Sequence, residues 1–188
     1  GNFIVGPEGM RAVLDWELVT LFGSGWVCAG HADQVRRRGE YLMVDIGGDS
    51  VLVVADDAGI PRAFHNVCRH RGARLVDQPE GTLRRLQCPY HAWTYDYDRR
   101  LLGAPHMDGS PGFNREDFPL GAVRAGVWDG FVFVSLASNG PTLAEHLGDL
   151  PSKFATWAMG GLVRGHRIVY DVRANWKLIV QNYNECLH

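Results

Sequence analysis

The sequence predicts a mainly β domain of small antiparallel sheets, led in by a helix and followed by the start of an α+β domain. Three textures carry that prediction. Between Pro7 and Phe22, the apolar positions Met10, Val13, Leu14, Leu18 and Leu21 recur near helical spacing, and GSG at 23–25 ends the pattern. From Trp26 to Leu136 short β-branched and aromatic runs, WVCAG, YLMVDI, VLVVA, RAFHNV and VWDGFVFVSL, alternate with turn residues. After Leu136 the chain turns to loop and short helix, then to RGHRIVYDVR with its period of two, then to the helical NWKLIVQNYNECLH. The expected division is a helical segment over 1–25, the β domain over 26–137, and the beginning of a further, incomplete domain over 138–188.

Within the β domain, GGDS at 47–50 and DDAG at 56–59 have the composition of hairpin turns. YDRR at 97–100 sits where a third turn is needed but has no glycine, which leaves its geometry open. In the strand expected over 164–173, Ile168, Tyr170 and Val172 share one face and Arg167, Val169, Asp171 and Arg173 the other. Asn175 is a good N-cap for the last helix. At 100° per residue that helix places Trp176, Ile179, Val180, Tyr183 and Leu187 on one side, and Leu178, Gln181, Asn182, Glu185 and His188 on the other.

A formal net charge of -2 gives no basic footprint for nucleic acid and no polybasic patch for a membrane. No run approaches the roughly 18 apolar residues of a membrane span, and GNFIVGPEGMR lacks a secretory pattern. The cysteines are Cys28, Cys68, Cys88 and Cys186, and two of them lie beside histidines. That favours metal binding in a reducing cytoplasm over disulfides.

The densest chemistry is in CRHRGARL from Cys68 and CPYHAW from Cys88. Each offers one thiolate and one imidazole, as C-x-H and C-x-x-H. Structural zinc accepts such a set, so a zinc site in an interaction domain is one reading. Mixed loops also divide naturally between two irons, one taking both cysteines and the other both histidines. An oxidised [2Fe-2S] core carries about two positive charges, so two thiolates bring it near neutral where four would leave it near minus two. A less negative site takes up an electron more easily. Cys68, His70, Cys88 and His91 are therefore the candidate [2Fe-2S] ligands. Arg71 and Gly72 offer guanidinium and backbone donors to sulfur, and Pro89, Tyr90 and Trp93 offer shielding.

The blocks CRHRG, CPYHAWTYD, FHNV and WDGFVFVSL closely resemble the Rieske domain of Rieske non-haem iron oxygenase α subunits. NWKLIVQNYNECLH resembles the start of that family's catalytic domain, so the resemblance spans nearly the whole chain. It implies a Rieske [2Fe-2S] fold followed by a non-haem iron domain. It also implies that His188 is the first histidine of a two-histidine, one-carboxylate iron site, with Glu185 as the acid bridging cluster and iron and Asn182 as a neighbour of the iron. In the family, electrons leave the cluster through the histidine of C-x-x-H, here His91, and reach the bridging acid of an adjacent subunit. The implied assembly is a homotrimer or related ring. The electrons originate in NAD(P)H and arrive through a reductase or ferredoxin, and the iron activates dioxygen.

Glutamate followed by CLH is more like the members acting on betaines, carnitine or choline than like the arene dioxygenases, many of which carry aspartate there. The resemblance thus implies hydroxylation or oxidative demethylation of a quaternary ammonium compound. Aromatic ring dihydroxylation by the same machinery is the alternative. A Rieske ferredoxin is the rival from another class, but it has no use for NWKLIVQNYNECLH. The family's second iron histidine and its carboxylate fall beyond His188, so the sequence as given is expected to hold a cluster and not to turn over.

The other histidines and cysteines have plainer readings. His65 is structural or exposed, and His31, His106, His146 and His166 are surface residues. Cys28 and Cys186 are small buried hydrophobes. RRR at 36–38 is a solvated loop whose charge an electron donor could use.

Overall fold

The computed structural model describes residues 7–107 and 109–185. Helix α1 covers Pro7–Glu17 and continues as one π turn over Leu18–Phe22, so helical structure ends where the sequence placed its end. Gly23 closes the turn by donating its N–H to the Leu18 carbonyl at 2.8 Å. A Cβ there would stand 2.6 Å from the Val19 carbonyl oxygen, so glycine is required.

The strands in chain order are β1 (Val27–His31), β2 (Glu40–Ile46), β3 (Asp49–Ala55), β4 (Pro61–His65), β5 (Glu80–Thr82), β6 (Leu86–Gln87), β7 (Thr94–Tyr95), β8 (Leu101–Gly103), β9 (Ala122–Trp128) and β10 (Phe131–Ser135). Their pairing is antiparallel throughout, in a seven-stranded sheet ordered β1-β10-β9-β4-β3-β2-β5 and a three-stranded sheet β6-β7-β8. The mainly β, antiparallel fold class expected from the sequence is the one observed.

Strand β3 explains why VLVVA reads as an unbroken apolar run. Leu52 and Val54 face one core with Phe64, Trp93 and Tyr95, while Val51, Val53 and Ala55 face a second core with Ile46, Val132 and Val134. Alternate side chains of one strand thus fill two cores, so neither face can be polar. The first core extends over the small sheet and carries the cysteine loops.

Both expected hairpins form. Gly47 and Gly48 join β2 to β3 at φ 61° and 98°, the paired positive angles that a two-residue turn of this hand requires. Between β3 and β4 the Asp56 carboxylate accepts the N–H groups of Ala58 and Ile60. YDRR forms a turn of the same design, with Asp96 accepting from Asp98 and Arg100.

Beyond β10 come α2 (Leu143–Leu147), α3 (Leu150–Phe154) and α4 (Trp176–Asn184). Asn175 caps α4 as expected, accepting the Lys177 N–H at 3.0 Å. The strand expected over 164–173 is absent among the described residues. Residues 162–173 are irregular, and no described strand pairs with them. Ile168 and Tyr170 on one expected face and Val169 on the other are all exposed, so alternation alone did not make a strand where no neighbour takes up the backbone N–H and C=O groups. This segment is held at its start, where Arg164 makes paired contacts of 2.7 and 2.9 Å with Glu80 and donates its N–H to Asp33.

Two plain readings need correction. His31 is not a surface residue, because the chain returns over it at Met159. Its ring stands 3.0 Å from Asp33 Oδ1 and edge-on to Phe131, with the Met159 carbonyl 3.4 Å from Nε2. Cys28 is exposed rather than buried, since β1 is an edge strand whose register against β10 slips between Cys28 and Gly30. His106, His146, His166 and the 36–38 arginines are exposed, and His65 is half-buried. Cys186 and His188 lie outside the described residues.

Candidate cluster-binding site

The two cysteine loops are copies of one backbone design. In the loop after β4, Cys68 donates its N–H to the Ala73 carbonyl at 2.8 Å, and Gly72 donates to the Cys68 carbonyl at 3.0 Å. In the loop between β6 and β7, Cys88 donates to Trp93 at 2.8 Å and Ala92 to Cys88 at 3.0 Å. Both loops turn through a left-handed residue at the same position, Gly72 at φ 71° and Ala92 at φ 58°. Gly72, expected as a donor to sulfur, therefore uses its N–H to close its own loop.

The loops bring like groups together. The Cys68 and Cys88 thiols neighbour each other in the core, both buried. The His70 and His91 rings lie 4.8 Å apart between centroids, nearer the surface, with His91 exposed. Among the described residues no group of three or more His, Cys, Asp or Glu could hold a metal ion. Thiol beside thiol and ring beside ring is the division that a binuclear cluster needs and a single tetrahedral ion does not.

The surroundings are unequal. Trp93 is buried and stacks on His70 at 4.8 Å with its plane tilted only 8°, and Phe113 and Phe118 meet its edges. Tyr90 lies over His91 but is itself 60% exposed, so this side of the site opens to solvent. Burial raises the Cys68 thiol above its ordinary value. His70 is lowered, first by desolvation and then by the charges of His91 and Arg71. Burial that disfavours the Cys68 thiolate, and desolvation with neighbouring positive charge that disfavours the His70 imidazolium, suit groups whose charge is to be neutralised by metal.

Two residues at this site had no assigned role in the sequence reading. Asn66 is fully buried behind the first loop. Its amide donates to the Val76 carbonyl at 2.7 Å and to Ser50 at 3.2 Å, while its oxygen accepts the N–H groups of Leu75 and Val76 at 3.1 Å. It clips together both ends of the Cys68–His70 loop. Tyr95 is buried on β7 with its hydroxyl 3.4 Å from Cys68 Sγ and accepting the Arg69 N–H at 3.1 Å. Their only signal was position, one just before a cysteine loop and one just after.

Residues 25–117 match the Rieske [2Fe-2S] domain, and residues 159–188 match the catalytic domain of ring-hydroxylating α subunits. The chain belongs to the Rieske oxygenase α-subunit family. A Rieske domain binds a [2Fe-2S] cluster, and the paired thiols and rings fit one. Among family members, the chain is 40% identical over 92% of its length to the glycine betaine monooxygenase oxygenase subunit of Chromohalobacter salexigens, covering 38% of that protein. It is 32% identical to the carnitine monooxygenase oxygenase subunit of Escherichia coli, over 92% of this chain and 46% of that one. The crystal structure of the quaternary ammonium Rieske monooxygenase CntA with L-carnitine superposes with a TM-score of 0.84 at 29% identity, over 90% of this chain and 49% of that chain. Naphthalene 1,2-dioxygenase with indole bound gives 0.74 at 28% identity, over 92% and 40%. The chain thus spans less than half the length of each of these relatives.

Of the remaining expected residues, His188 lies outside the described residues, and helix α4 ends at Asn184, short of the Glu185 that the sequence placed on its polar side. Asn182 lies in its last turn, and Glu185 follows at its C-cap, exposed, donating its N–H to the Gln181 carbonyl at 3.1 Å. No described helix is long and apolar enough to cross a membrane.

Proposed function

We propose that the complete protein is the terminal oxygenase of a multicomponent Rieske system acting on a quaternary ammonium compound. The observation that carries this reading is the pairing of Cys68 with Cys88 and of His70 with His91 on matched loops, in a chain whose relatives include glycine betaine and carnitine monooxygenase subunits. In this reading Cys68 and Cys88 hold one iron, and His70 and His91 the other. The cluster supplies one electron at a time to a ferrous centre that activates dioxygen for hydroxylation or demethylation.

The chain's own residues set the direction of transfer. Trp93 and its two phenylalanines exclude water behind His70, while the exposed His91 presents its edge outward as the exit towards an acid. That acid is Glu185 of an adjacent subunit in a trimer or related ring, with Asn182 three residues before it in the chain and the iron ligand His188 three residues after it. Electrons reach the cluster from a reductase or ferredoxin using NAD(P)H, in the cytoplasm.

The test is oxygen uptake by the complete protein with a reductase and NADH. Glycine betaine or carnitine should stimulate it and give one product per dioxygen. Dihydroxylation of naphthalene with no response to either ammonium compound would replace the substrate reading. A colourless protein holding a single zinc would remove the redox reading altogether.

A further inference from the structure

Glu17 is a carboxylate at the end of α1 that is only 6% exposed, and the chemistry above makes no use of it. Its partners all come from α4 or pack against it. One oxygen accepts the Trp176 indole N–H at 3.1 Å, and the other faces the Lys177 ammonium. Phe22, on the π turn after Glu17, meets the Trp176 ring edge-on at 5.3 Å. The Lys177 contact, with the indole adding to it, outweighs desolvation and holds the carboxyl below its usual range, so it is ionised at neutral pH.

Trp176 and Lys177 are the first two residues of α4, and Glu185 is its C-cap. We propose that Glu17 is a positioning residue that fixes the base of α4 and thereby the place of Glu185 at its other end. This rests on Glu185 being the acid between cluster and iron. The leverage is geometric. At about 1.5 Å per residue, the helix from Trp176 to Glu185 is roughly 14 Å long, so a tilt of about 5° at its base moves Glu185 by ~1 Å. A displacement of that size costs on the order of 100-fold where groups must be aligned. An ordinary exposed ion pair would not have this effect, because water replaces a lost partner. Here the carboxylate is buried and both its oxygens are used, and removing it leaves the half-buried Trp176 indole N–H without its acceptor.

The experiment compares Glu17→Leu, Lys177→Met and Glu185→Gln in the complete protein loaded with cluster and iron. The cluster is reduced in advance, mixed with oxygen and glycine betaine, and followed by its absorbance as it reoxidises. Hydrogen exchange of the α4 amides is measured on the same samples. Glu17→Leu should slow reoxidation at least tenfold with an unchanged cluster spectrum, and should lose amide protection over 178–184 but not in β3 or β10. Lys177→Met should do the same to a lesser degree, and it serves alone if Glu17→Leu does not fold. Slow reoxidation in Glu185→Gln but normal rates and α4 protection in the other two would overturn the role of Glu17. Protection lost equally across the β domain would also overturn it, by making Glu17 a general stabiliser. Normal reoxidation in Glu185→Gln would instead remove the bridging acid, whatever the Glu17 result.

Discussion

Arg99 occupies a left-handed backbone conformation at φ 77°, the place that Gly59 holds at φ 76° in a turn of the same design. In both turns an aspartate N–H meets the carbonyl four residues on at 3.0 Å, and its carboxylate accepts two further N–H groups. A side chain at positive φ costs roughly 1–2 kcal/mol. Arg99→Gly should therefore raise the urea midpoint, with a net gain of about 1 kcal/mol after the extra freedom of an unfolded glycine is subtracted. Gly59→Ala should lower it by more than that, because its Cβ would also stand 2.9 Å from the Arg36 carbonyl oxygen. A midpoint that falls in Arg99→Gly would mean that the Arg99 side chain, 3.4 Å from the Leu120 carbonyl, outweighs the strain.

These turns also mark what was legible in the sequence. DDAG announced itself through its glycine, whereas YDRR did not, because the carboxylate that builds the turn lies just before it at Asp96. The two cysteine loops were legible as chemistry, since few residue types bind metal and their spacing is local. The partners behind them were not. Asn66 and Tyr95 act through contacts between distant parts of the chain, and neither type is rare enough to stand out. The false strand over 164–173 failed for the same reason, because period two records a face and not a neighbour.

Asn66→Ala should cost about 3 kcal/mol and lower the cluster content of the purified protein. The substitution strands the buried N–H groups of Leu75 and Val76 and the Val76 carbonyl, each of which lost its partner to a methyl group. With the loop ends freed, Cys68 and His70 are no longer held opposite Cys88 and His91. Iron per chain and the urea midpoint should fall together. Full iron content at wild-type stability would show that the loop closes without its clip.

Asp56 should make stability depend on acid. Burial alone would raise its pKa, but the N–H of Ile60, the Arg62 guanidinium and the N–H of Ala58 outweigh burial and hold it below the ordinary carboxylate value. A depressed carboxylate contributes stability that is complete above its unfolded pKa, near 4, and is lost as pH falls through its lower folded value. Asp56→Asn should be less stable than the parent at pH 7 and should show a flatter decline below about pH 4. Parallel pH profiles for the two proteins would assign the acid lability elsewhere.

Tyr95 should tune the cluster through a single hydrogen bond. Its oxygen already accepts the Arg69 N–H at 3.1 Å, which leaves its own proton free to point at Cys68 Sγ, 3.4 Å away. The burial of Tyr95 and the contact with Cys68 both raise its pKa, so the hydroxyl keeps that proton at any working pH. A donor at a ligating sulfur favours the state in which the sulfur carries more negative charge, which is the reduced cluster. Tyr95→Phe removes the donor and keeps the ring. A hydrogen bond of about 1 kcal/mol corresponds to roughly 40 mV for one electron, so the reduction potential should fall by about that amount. Redox titration followed by the visible spectrum measures it directly. The Arg69 N–H also loses its acceptor, so iron content must be checked alongside. An unchanged potential at full iron content would mean that the hydroxyl proton points away from the sulfur and that Tyr95 serves only to hold the loop.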